Sequence, residues 1–412
     1  MLSILIVESI YMSTDRRYLT APQAAEALGV TLPTLYAYTS RGQIQSEAVP
    51  GRPRERRYHR EDIERLRTRK EARRDPDQAA ARGLHGGGPV LSSRITLIHD
   101  GKLYYRGHDV AKLARAATLE KVAELLWEAD PEDRGRLFAQ PCPLSPAQLA
   151  RLRAFAPDPL TRMQLALPLA GAADLASYDL RPASVRQTAA RILRLLTTAI
   201  AGPSDGPLHV ALQSKWAPKR PEVADAIRTV LVVCADHELN VSAFTARCAA
   251  SAGASPYDVV SAALATLKGR RHGGEAERVE ALLAGLESPR QARAEIAGRL
   301  RRGERVPGFG HPLYPAGDPR AAILLRLAGK AGNHSKWRLV RALQKAGSQL
   351  LHEIPNSDFG LAAVARTYGL PARAPLLLFA LGRTVGWMAH AMEQYATGEL
   401  IRPRARYTGP LP

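Results

Sequence analysis

At 412 residues the chain is too long for one ordinary domain, and its 45% hydrophobic content is enough for a large core. A formal net charge of +19 admits nucleic acid, acidic membrane surface or anionic substrates as partners, so the location of the charge matters more than its total. No stretch reaches the roughly 18 consecutive apolar residues of a membrane span, which argues against a membrane partner. Cys142, Cys234 and Cys248 show no metal-ligand or Cys-x-x-Cys spacing and read as buried thiols in a reducing, cytoplasmic compartment.

Ala, Leu and Arg dominate while β-branched residues are scattered, which predicts an all-α fold. The leading MLSILIVESIY lacks a basic start and carries Glu8, against a signal peptide. Residues 1–17 are therefore read as a disordered tail or a mis-called start, with Met12 as a natural beginning.

Residues 18–70 form the first predicted module. Thr20 caps a helix opening with Ala21-Pro22 and ending at Gly29; Thr31 caps a second, Leu32 to Arg41. Two short helices around a tight turn make a helix-turn-helix, whose second helix offers Thr34, Tyr36, Thr39 and Arg41 to a groove. Gly51 to Tyr58 is a basic loop too polar to pack, bearing Arg54, Arg56 and Arg57, and a third helix runs from Glu61 through Arg69. The run from Leu19 to Leu66 resembles the winged helix-turn-helix of the MerR and excisionase type. That resemblance implies DNA binding, with the loop as a wing touching phosphates; a protein-docking module is the other reading. Residues 71–89, charged and alanine-rich and then glycine-rich, read as a linker.

From Val90 the chain opens with a hairpin signal, Ile95, Leu97 and Ile98, then Asp100-Gly101, then Leu103 to Tyr105. Helical periodicity then dominates, in segments over Val110–Ala116, Thr118–Ala129, Pro146–Ala154, Arg162–Asp174, Val185–Ala201, Lys219–Cys234, Val241–Ala252 and Tyr257–Lys268. Further helices are predicted over Ala276–Leu286, Ala292–Arg302, Arg320–Ala328, Trp337–Leu351, Leu361–Tyr368 and Pro375–Thr397. No glycine-rich phosphate loop follows a strand, which argues against a Rossmann or P-loop enzyme.

Chemistry-bearing residues sit at the breaks between these helices. Asp236-His237-Glu238-Leu239-Asn240 follows an apolar helix end, and His272 precedes two glycines and a new helix N-terminus. There the helix field keeps an imidazole poor in protons, fit to donate to an enolate or oxyanion. His311 ends the loop Val306 to Gly310, Arg320 follows Asp318-Pro319, and Asp358 sits in Pro355-Asn356-Ser357-Asp358-Phe359. Arg383 lies in the apolar run Leu376 to Trp387, where a guanidinium is costly unless an anion meets it. Taken singly, each has an ordinary structural reading. Together they describe a site for a multiply anionic substrate with acid–base work to do.

HELNVSAF, LKGRRHGG, VPGFGHPLYPAGDPR, PNSDF, GRTVGWMAHAMEQ and IRPRARYTG occur in the order, and nearly at the spacing, of citrate synthases, and the chain from about Val90 onward resembles that family. The resemblance implies a two-domain helical homodimer, with a large domain over 90–273 and 370–412 and a small domain over 274–369. It implies condensation of acetyl-CoA or propionyl-CoA with oxaloacetate, with no metal and no cofactor, since the acyl-CoA is a substrate. Asp358 matches the base, His272 the enol-stabilising donor, and His311 the group that polarises the ketone and protonates the alkoxide. His237, Asn240, Arg320 and Arg383 match substrate ligands, and Arg402 the arginine supplied across the dimer interface. Arg270-Arg271 and Glu275-Ala276 replace the family's usual neighbours of the histidine, and Pro315 stands where a basic residue often contacts CoA phosphates. The other reading is a transcription regulator whose synthase-like domain senses an acyl-CoA or oxo acid without turnover.

Overall fold

The computed structural model describes residues 18–49, 51–74, 90–405 and 407–410. The tail over 1–17, the linker from Asp75 to Pro89 and the Arg54 side chain lie outside the described residues. Contacts divide the chain into two compact units, 1–92 and 93–412.

In the first unit β1 (Tyr18–Thr20) leads into α1 (Ala21–Leu28) and α2 (Leu32–Ser40), followed by β2 (Ser46–Val49), β3 (Arg52–His59) and α3 (Arg60–Arg74). Thr20 and Gln23 form a reciprocal capping box, and Gly29 closes α1 in the left-handed conformation. Thr31 flanks α2 without capping it through its side chain; its hydroxyl meets Thr34 Oγ1 at 3.0 Å instead. The segment from Gly51 to Tyr58, expected to be a loop, is largely strand. β3 pairs antiparallel with β1 through Leu19↔Tyr58 and with β2 through Ser46↔Tyr58, which buries Tyr58 beside Leu35, Ile44 and Ile63. Arginines conceal the alternation in sequence, because their guanidiniums stay in water while the backbone is satisfied on both edges. α3 runs five residues past the expected Arg69, since nothing before Pro76 breaks it.

The second unit opens on the predicted hairpin, β4 (Thr96–His99) against β5 (Lys102–Tyr105), with Asp100 and Gly101 both at positive φ as a two-residue turn requires. β6 (His108–Asp109) adds a third strand. The helices follow as α4 (Val110–Ala116), α5 (Leu119–Leu126), α6 (Pro146–Phe155), α7 (Pro159–Ala173), α8 (Pro182–Ala201), α9 (Leu208–Trp216), α10 (Val223–Cys234), α11 (Val241–Ser251) and α12 (Pro256–Leu267). Then come α13 (Gly274–Ala284), α14 (Gln291–Arg301), α15 (Pro319–Gly329), α16 (His334–Leu351), α17 (Ser357–Tyr368) and α18 (Ala374–Thr397). α9 was not predicted; it is short and two-thirds polar or half-buried, so no clear apolar stripe marks it.

α18 is the core helix, buried along nearly its whole length and packed on α10, α11 and α12. Two glycines permit this approach. A Cβ at Gly382 would lie 2.8 Å from the Leu231 carbonyl, and one at Gly386 would run into Asp236 Oδ1. α13 to α17 pack largely on one another, α15 and α13 against α17 and α14 against α16. Among the described residues no helix is long and apolar enough to cross a membrane.

Candidate active site

α10 ends at Cys234, and the turn after it is pinned by Tyr105, whose hydroxyl accepts from the Asp236 N–H at 3.1 Å. Asn240 then caps α11, its Oδ1 accepting from the Ser242 and Ala243 N–H groups at 3.1 and 3.2 Å. This leaves His237 buried, with Nε2 at 2.9 Å from Tyr314 Oη.

The loop carrying His311 is strapped to the segment carrying Asp358. Gly310 N–H donates to the Ile354 carbonyl, Asn356 N–H to the Gly308 carbonyl, both at 2.9 Å, and Asn356 Nδ2 to the Gly310 carbonyl at 3.1 Å. Gly308 has φ +88°, and a Cβ there would stand 2.7 Å from Val279 Cγ2, so glycine is required twice over. Asn356 Oδ1 also caps α17 by accepting from Asp358 N–H, which sets Asp358 in the first helical turn. Asp318 completes the frame. Its carboxylate takes Arg320 Nε at 3.0 Å and Nη2 at 2.8 Å, the Arg320 N–H at 2.9 Å and the Ser357 N–H at 3.0 Å, joining the starts of α15 and α17.

Arg383, 1% exposed, projects from α18 over the Phe379 ring and donates through Nε to the Cys234 carbonyl at 2.9 Å; its buried Nη2 has no hydrogen-bond partner among the described residues. Beneath it, Asp236 is held by Thr96 Oγ1 and stands 3.4 Å from His390 Nε2, while His390 Nδ1 accepts from Arg247 Nε at 3.2 Å.

His272 Nε2 lies 2.8 Å from Ser242 Oγ. That hydroxyl also contacts Asn240 Oδ1 at 2.7 Å and accepts the Trp387 indole N–H at 3.0 Å. The amide oxygen has no hydrogen to give and the indole is only a donor, so the serine hydrogen goes to Asn240 and His272 donates from Nε2. His311 is fixed the other way. Its Nδ1 accepts the Leu313 N–H at 3.2 Å, so the neutral ring carries hydrogen on Nε2.

Electrostatics join these groups into one cluster. Burial, then the Arg383 charge, pulls His272 down to about 4, and burial, then Arg320, pulls His311 down to about 4. Burial, with Arg320, Arg383 and His311, holds His237 well below the usual histidine range. The carboxyl of Asp358 is pushed up to about 7, chiefly by burial and further by Glu275 and Asp318, against the opposing pull of Arg320 and Arg383. Neutral imidazoles, a carboxyl titrating near neutrality and two buried guanidiniums can remove a proton, stabilise an oxyanion and hold carboxylates.

His237, His272, His311, Asp358, Arg320 and Arg383 thus come together, with Asn240 behind Ser242. Arg402 does not join them; it is exposed on the segment after α18. Ser242, Trp387 and Tyr314 are additions that no charge marks, although all three stand inside motifs already singled out. In the first unit Tyr36 and Arg41 are exposed and Thr34 is half-buried. Arg56 is held by the Ser46 hydroxyl and carbonyl, both at 2.9 Å, and Arg57 by Glu47 at 3.4 Å.

A family model for the citrate synthase C-terminal domain matches residues 83–404, and one for a helix-turn-helix domain matches residues 18–71. The chain is 29% identical to citrate synthase 2 of Bacillus subtilis over 362 residues, covering 80% of this chain and 96% of that protein. It is also 29% identical to the 2-methylcitrate synthase of Shewanella oneidensis over 366 residues, covering 81% and 95%. The citrate synthase of Thermoplasma acidophilum, solved as a ternary complex with carboxymethyl coenzyme A and oxaloacetate, matches with a TM-score of 0.68 at 27% identity, covering 78% of this chain and 94% of that one.

Proposed function

The chain belongs to the citrate synthase family, and from that premise we propose that it condenses acetyl-CoA or propionyl-CoA with oxaloacetate, releasing citrate or 2-methylcitrate and CoA. The observation that carries this reading is Asp358, whose carboxyl is pushed up to about 7 in the same cluster as two imidazoles that stay neutral. A base poised near the working pH is what abstraction of a thioester α-proton needs.

In this mechanism the Asp358 carboxylate takes the α-proton, and the thioester oxygen, gaining negative charge, accepts a hydrogen bond from His272. The nitrogen of His272 left free is Nδ1, so this donation requires Ser242 to turn its hydrogen onto Nε2 and the imidazole to change tautomer. The enolate carbon then forms a bond to the ketone carbon. His311 polarises that ketone through Nε2–H and passes the proton to the alkoxide, and water hydrolyses the remaining thioester. Arg383, whose buried Nη2 has no hydrogen-bond partner among the described residues, binds a substrate carboxylate, together with Arg320, His237 and Asn240. Two copies pair so that Arg402 of the second reaches this carboxylate site, and 274–369 acts as a small domain against 90–273 and 370–412. The ternary complex of the Thermoplasma relative, with a CoA analogue and oxaloacetate, supports the substrate classes.

The test is release of free thiol from acetyl-CoA or propionyl-CoA in the presence of oxaloacetate. If neither thioester yields thiol above background, and Asp358→Ala behaves the same, the reading is lost.

A second reading rests on the helix-turn-helix match and on exposed Tyr36 and Arg41: the chain binds DNA, and its synthase-like unit senses an acyl-CoA or oxo acid. Thr34, Tyr36 and Arg41 enter a groove, with Arg54, Arg56 and Arg57 on phosphates. Binding to the chain's own upstream DNA should weaken steeply with salt. Binding that survives deletion of residues 19–70 would exclude this role.

A further inference from the structure

α13, α14 and the loop before Gly308 border a half-open cavity of about 170 Å³, lined by Glu275, Arg278, Ala281, Arg299, Arg305 and Pro307. Three guanidiniums face it against one carboxylate. With the rim groups Glu295, Glu304 and Arg302 the balance becomes four cations to three anions, so the cavity stays cationic. The forks are lightly used. Arg278 Nη1 meets Glu275 Oε2 at 3.3 Å, and Arg305, 78% exposed, comes no nearer than 3.9 Å to Glu275 Oε1. Arg299 spends Nε on Glu295 at 2.8 Å, and its Nη1 stands 3.8 Å from Glu304.

We propose that this cavity is a phosphate-binding subsite in which Arg278 and Arg305 grip a phosphate or pyrophosphate group, with Arg299 adding charge from behind. Guanidinium forks match phosphate oxygens in pairs, and a doubly charged phosphate competes for both arginines better than the single carboxylate of Glu275. Glu275 serves as the spacer that orients the two forks. Its Oε1 also accepts the Gly308 N–H at 3.4 Å, so the inner wall of the cavity is the backbone that leads to His311. A group held here therefore sits beside the cluster rather than in it.

Two sources carry this chemistry: the phosphates on the carrier arm of an acyl-CoA, which rests on the reading above, and a separate pyrophosphate-bearing effector, which does not. The test uses the full chain and an Arg278→Ala/Arg305→Ala double variant, both changes lying on the surface. Calorimetry with inorganic pyrophosphate and with CoA reads the cavity without turnover, and KM for acetyl-CoA is compared with KM for S-acetyl-pantetheine, which has no nucleotide phosphates. A roughly tenfold loss of affinity for both ligands, with KM raised for acetyl-CoA alone, identifies the carrier arm. A tenfold loss for pyrophosphate, with CoA affinity and both KM values unchanged, identifies a separate effector. Equal binding of pyrophosphate and CoA by the variant and the parent overturns the proposal, and this comparison holds even for a chain without condensing activity.

Discussion

Asp318 grips Arg320 with both carboxylate oxygens while one of them also caps Ser357, so one buried anion holds a candidate substrate ligand and the helix start that carries Asp358. The charge is costly to bury, and burial alone would raise the Asp318 carboxyl, but Arg320 outweighs it and keeps the carboxyl below its ordinary range. Asp318→Asn leaves Arg320 buried without its counter-charge. It should cost about 3 kcal/mol, the low end of the roughly 3–5 kcal/mol for breaking a buried pair, because the amide oxygen can still cap. Because the folded carboxyl is depressed, the stability it gives is present above the ordinary carboxylate range and fades as acid protonates it. Urea unfolding at neutral pH and at pH 3 should therefore show the variant converging on the parent in acid.

Asp358 predicts the opposite sign. Its folded carboxyl is raised to about 7, so the ionised form opposes folding, and the penalty grows as pH rises from about 4 to 7. Asp358→Asn should melt above the parent at pH 8, by about 1–3 kcal/mol once solvent screening of a half-buried group is allowed for, and match it near pH 4. In the parent, kcat/KM should rise with pH through about 7 and level off, since the base must be ionised, and the variant should lose on the order of 10²–10⁴ in rate. A flat profile from pH 5.5 to 8.5 would show that Asp358 is not the base.

Ser242 sits where three hydrogen bonds cross. Ser242→Ala strands the buried Trp387 indole N–H, which costs about 1–3 kcal/mol. It also removes the hydroxyl that must donate to Nε2 for His272 to present its Nδ1 hydrogen to the thioester oxygen. Condensation should fall roughly 10- to 100-fold, at the scale of a lost orienting partner, while the pH midpoint near 7 stays put. A variant with reduced stability and unchanged kcat would mean that Ser242 only packs.

Much of the candidate site was legible because its charged members fall at helix breaks, where an unpaired charge has few structural uses. Asp358 and His311 stand at such breaks, whereas Arg383 was marked by its place inside the apolar run of α18, where a guanidinium is costly without an anion. Tyr314 and Ser242 did not yield to it, because a hydroxyl gains significance only from partners 77 and 30 residues away, His237 and His272. β3 was missed for a related reason: whether Arg52 to His59 is strand or loop depends on β1 and β2 as edges, not on its own composition. α17 begins at Ser357, earlier than Leu361, because Asn356 acts as cap as well as strap. Arg402 stays apart from the cluster, exposed on the segment after α18.

Gly386 offers a test of how α18 delivers Arg383. Alanine favours a helix over glycine by about 1 kcal/mol, so propensity alone predicts a gain from Gly386→Ala. The added methyl would run into Asp236 Oδ1 and meet the Ala235 carbonyl at 2.5 Å; the second is backbone, and the first belongs to a fully buried carboxylate held by Thr96 Oγ1. Overpacking against such fixed atoms costs about 3 kcal/mol at the upper end of its usual range, so it wins, and the net loss should be about 2 kcal/mol. The strain falls between Arg383 and the Cys234 carbonyl that anchors it, which would pull the guanidinium away from its substrate carboxylate. KM for oxaloacetate should then rise at least roughly tenfold, the worth of one charge-assisted bond, with KM for the acyl-CoA little changed. A variant that melts lower yet keeps both KM values would show that α18 can retreat without carrying Arg383 with it.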